Sequence, residues 1–225
     1  MQTEKNRKIP FFERKKLGEI GDLREDLLPL ELQGAHPERK KAFLAGRECA
    51  QKVCEKRGVF EPKIGRDEQG RPIWPPGIVG SITHSREWAF AVAGGTEAFY
   101  GMGIDAEKID NEARGYEAII KKILTPGEQH CFGEEKRDIL ACFCLKEAFY
   151  KCLDPVLGGL MTYQDMREME ITAIEWATGD VIIQMSTALT ARVPASSRLW
   201  ARCWVEADIQ HLCAWVGLDR EAMIQ

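Results

Sequence analysis

Five side chains in two short stretches have the types and spacing to do chemistry together. Asp105 and Glu107 lie in Gly-Ile-Asp-Ala-Glu, and Lys146, Glu147 and Lys151 lie in Lys-Glu-Ala-Phe-Tyr-Lys. Residues two apart share one face of a strand, and residues four apart stand one helical turn apart. Three carboxylates and two lysines that converge can hold a hard divalent cation and a phosphate together. Such cations take oxygen ligands and are bound through a few carboxylates plus substrate phosphates. The lysines then neutralise phosphate charge that the metal leaves uncovered. The set points to phosphoryl-transfer chemistry. Taken alone, Asp105 and Glu107 read more readily as solvated surface, and Glu147 with Lys151 as an exposed ion pair of about a few tenths of a kcal/mol.

The elements that must position these groups follow from periodicity. Glu38 to Glu55 reads as a helix with Phe43, Leu44, Cys49, Ala50 and Val53 on an apolar side. Arg39 and Arg47, eight apart, point to roughly one side of it. A Gly/Pro-rich passage through Gly70-Arg71-Pro72 and Trp74-Pro75-Pro76-Gly77 reads as loop. Ile78–His84, Trp88–Ala93 and Ala98–Glu107 read as strands, the last two joined as a hairpin through Gly94-Gly95. In the third, Tyr100, Met102, Ile104 and Ala106 make an apolar face. Its other face runs from Gly101 and Gly103 to the two carboxylates, and bare glycine permits close approach of a ligand or another backbone.

Thr125-Pro126-Gly127-Glu128 carries a capping box with proline at the first helical position. Arg137 to Leu153 is the longest helical pattern. Lys146 falls in the middle of its apolar stripe, where an ammonium is costly unless paired or able to escape along its stem. Glu147 and Lys151 line the edge of that stripe. Met169–Trp176, Val181–Ser186, Leu199–Ala207 and Cys213–Val216 read as further strands.

Composition narrows the class. A chain of 225 residues can bury a proper core, and a net charge of −4 argues against a dedicated nucleic-acid binder. The basic cluster within the first sixteen residues reads as a solvated terminus. No apolar run reaches the length of a membrane span and no signal-peptide core is present, so a cytoplasmic protein is expected. The eight cysteines include no Cys-x-x-Cys, which favours reduced core thiols over a zinc site or disulfide frame.

Taken in order, these pieces resemble the phosphopantetheinyl transferases of the surfactin-synthetase and enterobactin-synthetase type, over about Glu38 to Leu153. The resemblance is carried by Arg39 with Ala45-Gly46-Arg47-Glu48-Cys49-Ala50, by Gly70-Arg71-Pro72, and by Trp74-Pro75-Pro76-Gly77 through Gly80-Ser81-Ile82-Thr83-His84. It continues through Gly103-Ile104-Asp105-Ala106-Glu107, Leu124-Thr125-Pro126-Gly127-Glu128 and Phe143 to Lys151. The tryptophan-to-histidine stretch is most similar to the enterobactin branch. Ala106 and Cys144 depart from the family pattern without removing a functional group.

The resemblance implies an α+β fold of two similar halves packed as a pseudo-dimer, so that a monomer is expected. The halves would be residues 1–100, binding coenzyme A, and residues 101–225, carrying the metal site and the docking surface. The implied reaction moves the phosphopantetheine arm of coenzyme A onto a serine of an acyl or peptidyl carrier protein, in siderophore, polyketide or nonribosomal peptide synthesis. Asp105, Glu107 and Glu147 would hold magnesium. Glu147 and Lys151 would be catalytic, Glu147 taking the serine proton directly or through water. Arg39, Arg47, Arg66, Thr83, His84, Lys146 and Lys151 would bind coenzyme A. The stretch from Ile109 to Leu124, with Gly158-Gly159, is the candidate docking surface for the carrier. No nucleic acid or membrane is expected as a partner. A metal-dependent nuclease and a non-catalytic binder of coenzyme A or carriers are the alternatives.

Overall fold

The computed structural model describes residues 10–21, 23, 25–109 and 116–220. The first part of the chain holds β1 (Phe11–Lys16), α1 (Leu30–Gln33), α2 (Pro37–Glu55), the short pair β2 (Gly65–Arg66) and β3 (Pro72–Ile73), then β4 (Ile78–Ser85), β5 (Trp88–Gly95) and β6 (Phe99–Lys108). The second part holds α3 (Tyr116–Lys122), α4 (Pro126–Phe132), α5 (Lys136–Val156), β7 (Met169–Glu175), β8 (Asp180–Met185), α6 (Thr187–Thr190), β9 (Arg198–Glu206) and β10 (His211–Asp219).

Two antiparallel sheets organise these elements, one in the order β1-β5-β4 and one in the order β6-β10-β9-β8-β7. Helix α2 begins with Pro37 at its first position, where the missing N–H costs nothing, and His36 caps it by accepting the Glu38 N–H. Its expected stripe of Leu44, Cys49, Ala50 and Val53 is buried against Ala89, Ala91 and Ala93 of β5. Gly46 permits that approach, because a Cβ there would stand 2.8 Å from Cγ2 of Ile82. Helix α5 covers the larger sheet with Ala141, Leu145, Ala148, Phe149 and Cys152. A third apolar cluster, with Phe90 and Val92 of β5 and Met102, Ile104 and Ala106 of β6, fills the space between the sheets. The layers therefore run helix, sheet, sheet, helix. Met102, Ile104 and Ala106 of the apolar face read for β6 point between the sheets. Tyr100 packs with the α5 cluster instead, and Phe99 takes its place, across an irregularity in the β6–β10 register.

Two expectations are corrected. The Gly94-Gly95 hairpin does not exist: β1 and β4 occupy both edges of β5, so β6 pairs with β10 instead. The hairpin lies one connection earlier, Ser85 opposite Trp88, with Arg86 at φ 48° in the turn. Gly94 serves close packing, since a Cβ there would lie 2.8 Å from the Phe99 ring. Part of the basic terminus is also structured. Phe11–Lys16 is an edge strand on β5, with Phe12 edge-on to Trp204 at 5.4 Å between ring centroids. Two of its basic residues are matched rather than solvated, Arg14 with Glu206 and Asp208 and Lys15 with Glu48, while Lys16 at the strand end is exposed. Lys5, Arg7 and Lys8 of that cluster lie outside the described residues.

All eight cysteines are free thiols, seven of them buried. Burial pushes the Cys49 and Cys152 thiols up to about 12, so they behave as small apolar groups. No helix among the described residues is long and apolar enough to cross a membrane.

Candidate active site at the seam between the sheets

Strands β4 and β6 lie side by side, yet they belong to different sheets. Side chains join them. The Thr83 hydroxyl donates to Oδ1 of Asp105 at 2.9 Å, and the Ser85 hydroxyl donates to Oε2 of Glu107 at 3.1 Å. Both partners advance by two residues in the same direction, so the strands run parallel. Ser85 also accepts the Lys108 N–H at 3.2 Å.

Helix α5 brings the remaining groups to this seam. The close approach anticipated for the glycine face of β6 is made by helix backbone: a Cβ on Gly101 would strike the Cys152 carbonyl, and one on Gly103 the Ala148 carbonyl. That contact delivers Lys151, whose ammonium lies 2.6 Å from Asp105 Oδ1, 3.0 Å from Thr83 Oγ1 and 3.2 Å from the Ile104 carbonyl. All three of its protons are therefore engaged. Gly103→Ala is expected to destabilise the protein by at least about 1–3 kcal/mol, the scale of overpacking a core. A denaturation midpoint equal to that of the parent would show that α5 does not rest on Gly103.

The charge balance here leaves something missing. Asp105 is only 5% exposed, and its Oδ2 is buried without a hydrogen-bond partner. Burial, and then the charge of Asp105, raise the Glu107 carboxyl above its ordinary range, with Ser85 and Lys151 opposing. The Glu147 carboxyl is raised by the same two causes, with Lys151 again opposing. Two acids raised by the charge of a third, which itself keeps an open oxygen, suit an added positive charge. The residues present thus fit a divalent cation, although among the described residues no three such side chains are drawn together as a formed metal cluster.

His84 keeps contact with solvent but is crowded by protein. Desolvation and then the charge of Lys151 pull its imidazole below the ordinary range, with Asp105 opposing and Arg39 adding to the fall. Arg39 and Arg66 are exposed, whereas Arg47 is largely enclosed. Burial, and then the charge of Arg66, bring the Arg47 guanidinium down to about 10. It donates to the Gly65 carbonyl at 3.2 Å and lies over the Phe43 ring at 4.5 Å, while its Nε is buried without a partner. Two arginines held together with an unused donor suit an anion.

Lys146 does not join the cluster. Its side chain is fully buried, with Nζ 2.9 Å from Glu128 Oε2, 3.1 Å from the Met166 carbonyl and 2.6 Å from the Met169 carbonyl. An ammonium whose three donors are all used inside the core has none left for a phosphate, which corrects its expected role. Glu128 is the partner that sequence reasoning missed. The capping box of α4 is present as read, but the same carboxylate also accepts the Ile171 N–H. Ser85 was missed as well, although it lies two residues after Thr83 and so on the same face of the strand.

Comparisons with known proteins identify the family. Residues 28–94 match the 4'-phosphopantetheinyl transferase N-terminal domain, and residues 101–205 match the 4'-phosphopantetheinyl transferase superfamily. Enterobactin synthase component D of Escherichia coli (strain K12) is 30% identical over 179 residues, covering 71% of this chain and 84% of that protein. The chain belongs to the 4'-phosphopantetheinyl transferase superfamily. Within it, 4'-phosphopantetheinyl transferase PptT of Mycobacterium tuberculosis (strain ATCC 25618 / H37Rv) is 32% identical over 134 residues, 56% of this chain. The chain spans only about half the length of that relative, 56% of it. Among solved structures, a holo-(acyl-carrier-protein) synthase from Bacillus anthracis str. Ames matches 55% of this chain and 99% of its own at 18% identity, with a TM-score of 0.41. Membership of the phosphopantetheinyl transferases, of the enterobactin-like kind, rests on the sequence matches.

Proposed function

We propose that this chain transfers the phosphopantetheine arm of coenzyme A to a serine of an acyl or peptidyl carrier protein. The observation that supports the reading is the Asp105–Lys151 ion pair at the seam, with one Asp105 oxygen open and with Glu107 and Glu147 both near enough to feel these charges, in a chain of this family. In the transfer a bond forms between the serine oxygen and the phosphorus of phosphopantetheine. The bond from that phosphorus to the bridging oxygen of the pyrophosphate breaks, and adenosine bisphosphate leaves.

Asp105, Glu107 and Glu147 would hold magnesium. A divalent cation bound there would polarise the attacked phosphorus and stabilise charge on the leaving oxygen. The raised pKa of Glu147 brings it nearer the range in which a carboxylate accepts a proton at neutral pH, directly from the serine or through water. Lys151 would offset charge growing on the pyrophosphate, giving up one of its three present acceptors to do so. Arg39, Arg47, Arg66, Thr83 and His84 would bind coenzyme A, Thr83 while also holding Asp105. In this reading residues 1–100 form the half that binds coenzyme A and residues 101–225 the half with the metal and docking surfaces. Each half has a sheet and a long helix, which supports the pseudo-dimer; that it works as a monomer in the cytoplasm is part of the same proposal.

Arg47→Ala is expected to weaken coenzyme A binding by about 1–3 kcal/mol, the scale of a lost charge-assisted hydrogen bond. The change should fall on KM for coenzyme A and leave kcat nearly unchanged; the reverse split would make Arg47 part of the chemistry. The carrier is proposed to dock on the stretch from Ile109 to Leu124 near Gly158-Gly159, of which residues 110–115 lie outside the described part. Ile123 and Leu124 are buried core and so cannot be the contact, which leaves the exposed Lys121 and Lys122 at the end of α3. The double variant Lys121→Glu, Lys122→Glu is expected to raise KM for an acidic carrier, spare KM for coenzyme A, and flatten the salt dependence. Carrier kinetics equal to those of the parent would move the docking surface elsewhere. The reading as a whole is tested by incubating the protein with labelled coenzyme A, magnesium and several apo carrier domains. Label should become covalently attached to a carrier; retention by the protein alone would favour a binder, and cleavage of added plasmid a nuclease.

A further inference from the structure

We propose that Ser85 is a positioning residue: together with Thr83 it fixes the two β6 carboxylates in place and so sets how tightly the site takes a divalent cation. This rests on the metal-site reading of Asp105, Glu107 and Glu147 given above. The basis is the construction of the seam. No backbone ladder joins β4 to β6, so nothing in the sheets themselves fixes where the carboxylates stand relative to β4. Two buried hydroxyls do so instead, Thr83 at 7% exposure and Ser85 at 4%, each donating to the carboxylate opposite.

The two rungs are not equivalent. Asp105 has a short side chain and is held on Oδ1 by Lys151 as well as by Thr83. Glu107 has one more rotatable bond, and Ser85 is its hydrogen-bonded anchor on β4. The Lys108 N–H donates into the Ser85 oxygen, which leaves the hydroxyl proton free to point at Glu107. Losing this hydroxyl releases the more mobile of the two acids. Groups that orient a metal's ligands commonly change metal affinity 10–100-fold when removed.

The test titrates manganese(II) into the full chain without coenzyme A and counts the free ion by electron paramagnetic resonance. Ser85→Ala is expected to raise the dissociation constant about tenfold or more. Its melting temperature in metal-free buffer should stay close to that of the parent. Ser85→Thr, which restores a hydroxyl, should recover most of the affinity. In a Glu107→Gln background, Ser85→Ala should weaken binding no further, because Ser85 acts through Glu107; a purely structural role would weaken both backgrounds alike. Should Ser85→Ala melt far below the parent, Ser85→Cys, which leaves no cavity but donates weakly, carries the same comparison. A parent that binds no manganese, or binds it equally after Glu107→Gln, overturns the metal-site reading and this proposal together. A parent that binds manganese, with a Ser85→Ala variant of equal affinity, overturns this proposal alone.

Discussion

Asp105→Asn is expected to lower the rate of phosphopantetheine transfer by about 10³-fold or more, the scale seen when a group that stabilises developing charge is removed. The substitution keeps the shape of the side chain, so the seam with Thr83 should survive and the metal-free melting temperature should change little. Three functions are lost at once. The open oxygen that suits a cation becomes part of a neutral amide, Lys151 loses its ion-pair partner, and the charge that helps raise Glu107 and Glu147 disappears. The last loss has a sign that can be checked. Asp105 pushes the Glu147 carboxyl up, so its neutralisation lets that carboxyl ionise at lower pH. If Glu147 is the base, the rising limb of kcat/KM against pH in the residual activity should shift toward acid. Near-normal turnover would remove Asp105 from the site, and an unshifted limb would separate Glu147 from the proton transfer.

Lys146→Met is expected to destabilise the fold by about 3–5 kcal/mol, the range for breaking a buried ion pair from one side. It leaves Glu128 buried without its counter-charge and strips a donor from the Met166 and Met169 carbonyls. At roughly 2–4 °C per kcal/mol for a chain of this size, the melting temperature should fall by on the order of 10 °C. Glu128→Gln added to Lys146→Met should recover part of the loss, because the uncompensated charge is then removed. Thermal unfolding of the parent, both single variants and the double variant would measure that coupling. Well below the melting temperature, KM for coenzyme A should match the parent in Lys146→Met. A stable variant with a greatly raised KM would return Lys146 to the coenzyme A site.

What the sequence revealed, and what it hid, follows from how local each cause is. The two long helices were legible because their stripes repeat over several turns, and α2 and α5 differ from their expected ends by no more than three residues. The alternation in Gly-Met-Gly-Ile-Asp-Ala-Glu showed which face of β6 was apolar and which could be approached closely, but not that α5 backbone would be the visitor. Pairing was not legible. Two glycines between strands look like a turn, and nothing local reveals that both edges of β5 are already occupied. Strand β1 was hidden because its lysines and arginine read as solvated, whereas the acidic partners of Arg14 and Lys15 lie as far along the chain as Asp208. The position of Lys146 on an apolar stripe demanded a partner, yet Glu128 had a sufficient local explanation as a cap. Ser85 carries no motif of its own, and its role depends on a strand seam that only the fold creates.

The most direct test of the central claim follows both products of a single reaction. The full chain is mixed with coenzyme A, magnesium and an apo carrier protein, and the carrier is followed by intact mass while released nucleotide is separated and quantified. The account predicts a carrier heavier by one phosphopantetheine, an equal molar yield of adenosine bisphosphate, and neither product when the acceptor serine of the carrier is replaced by alanine. Adenosine bisphosphate released without any mass change on the carrier, or a carrier modified equally well without its serine, would contradict it.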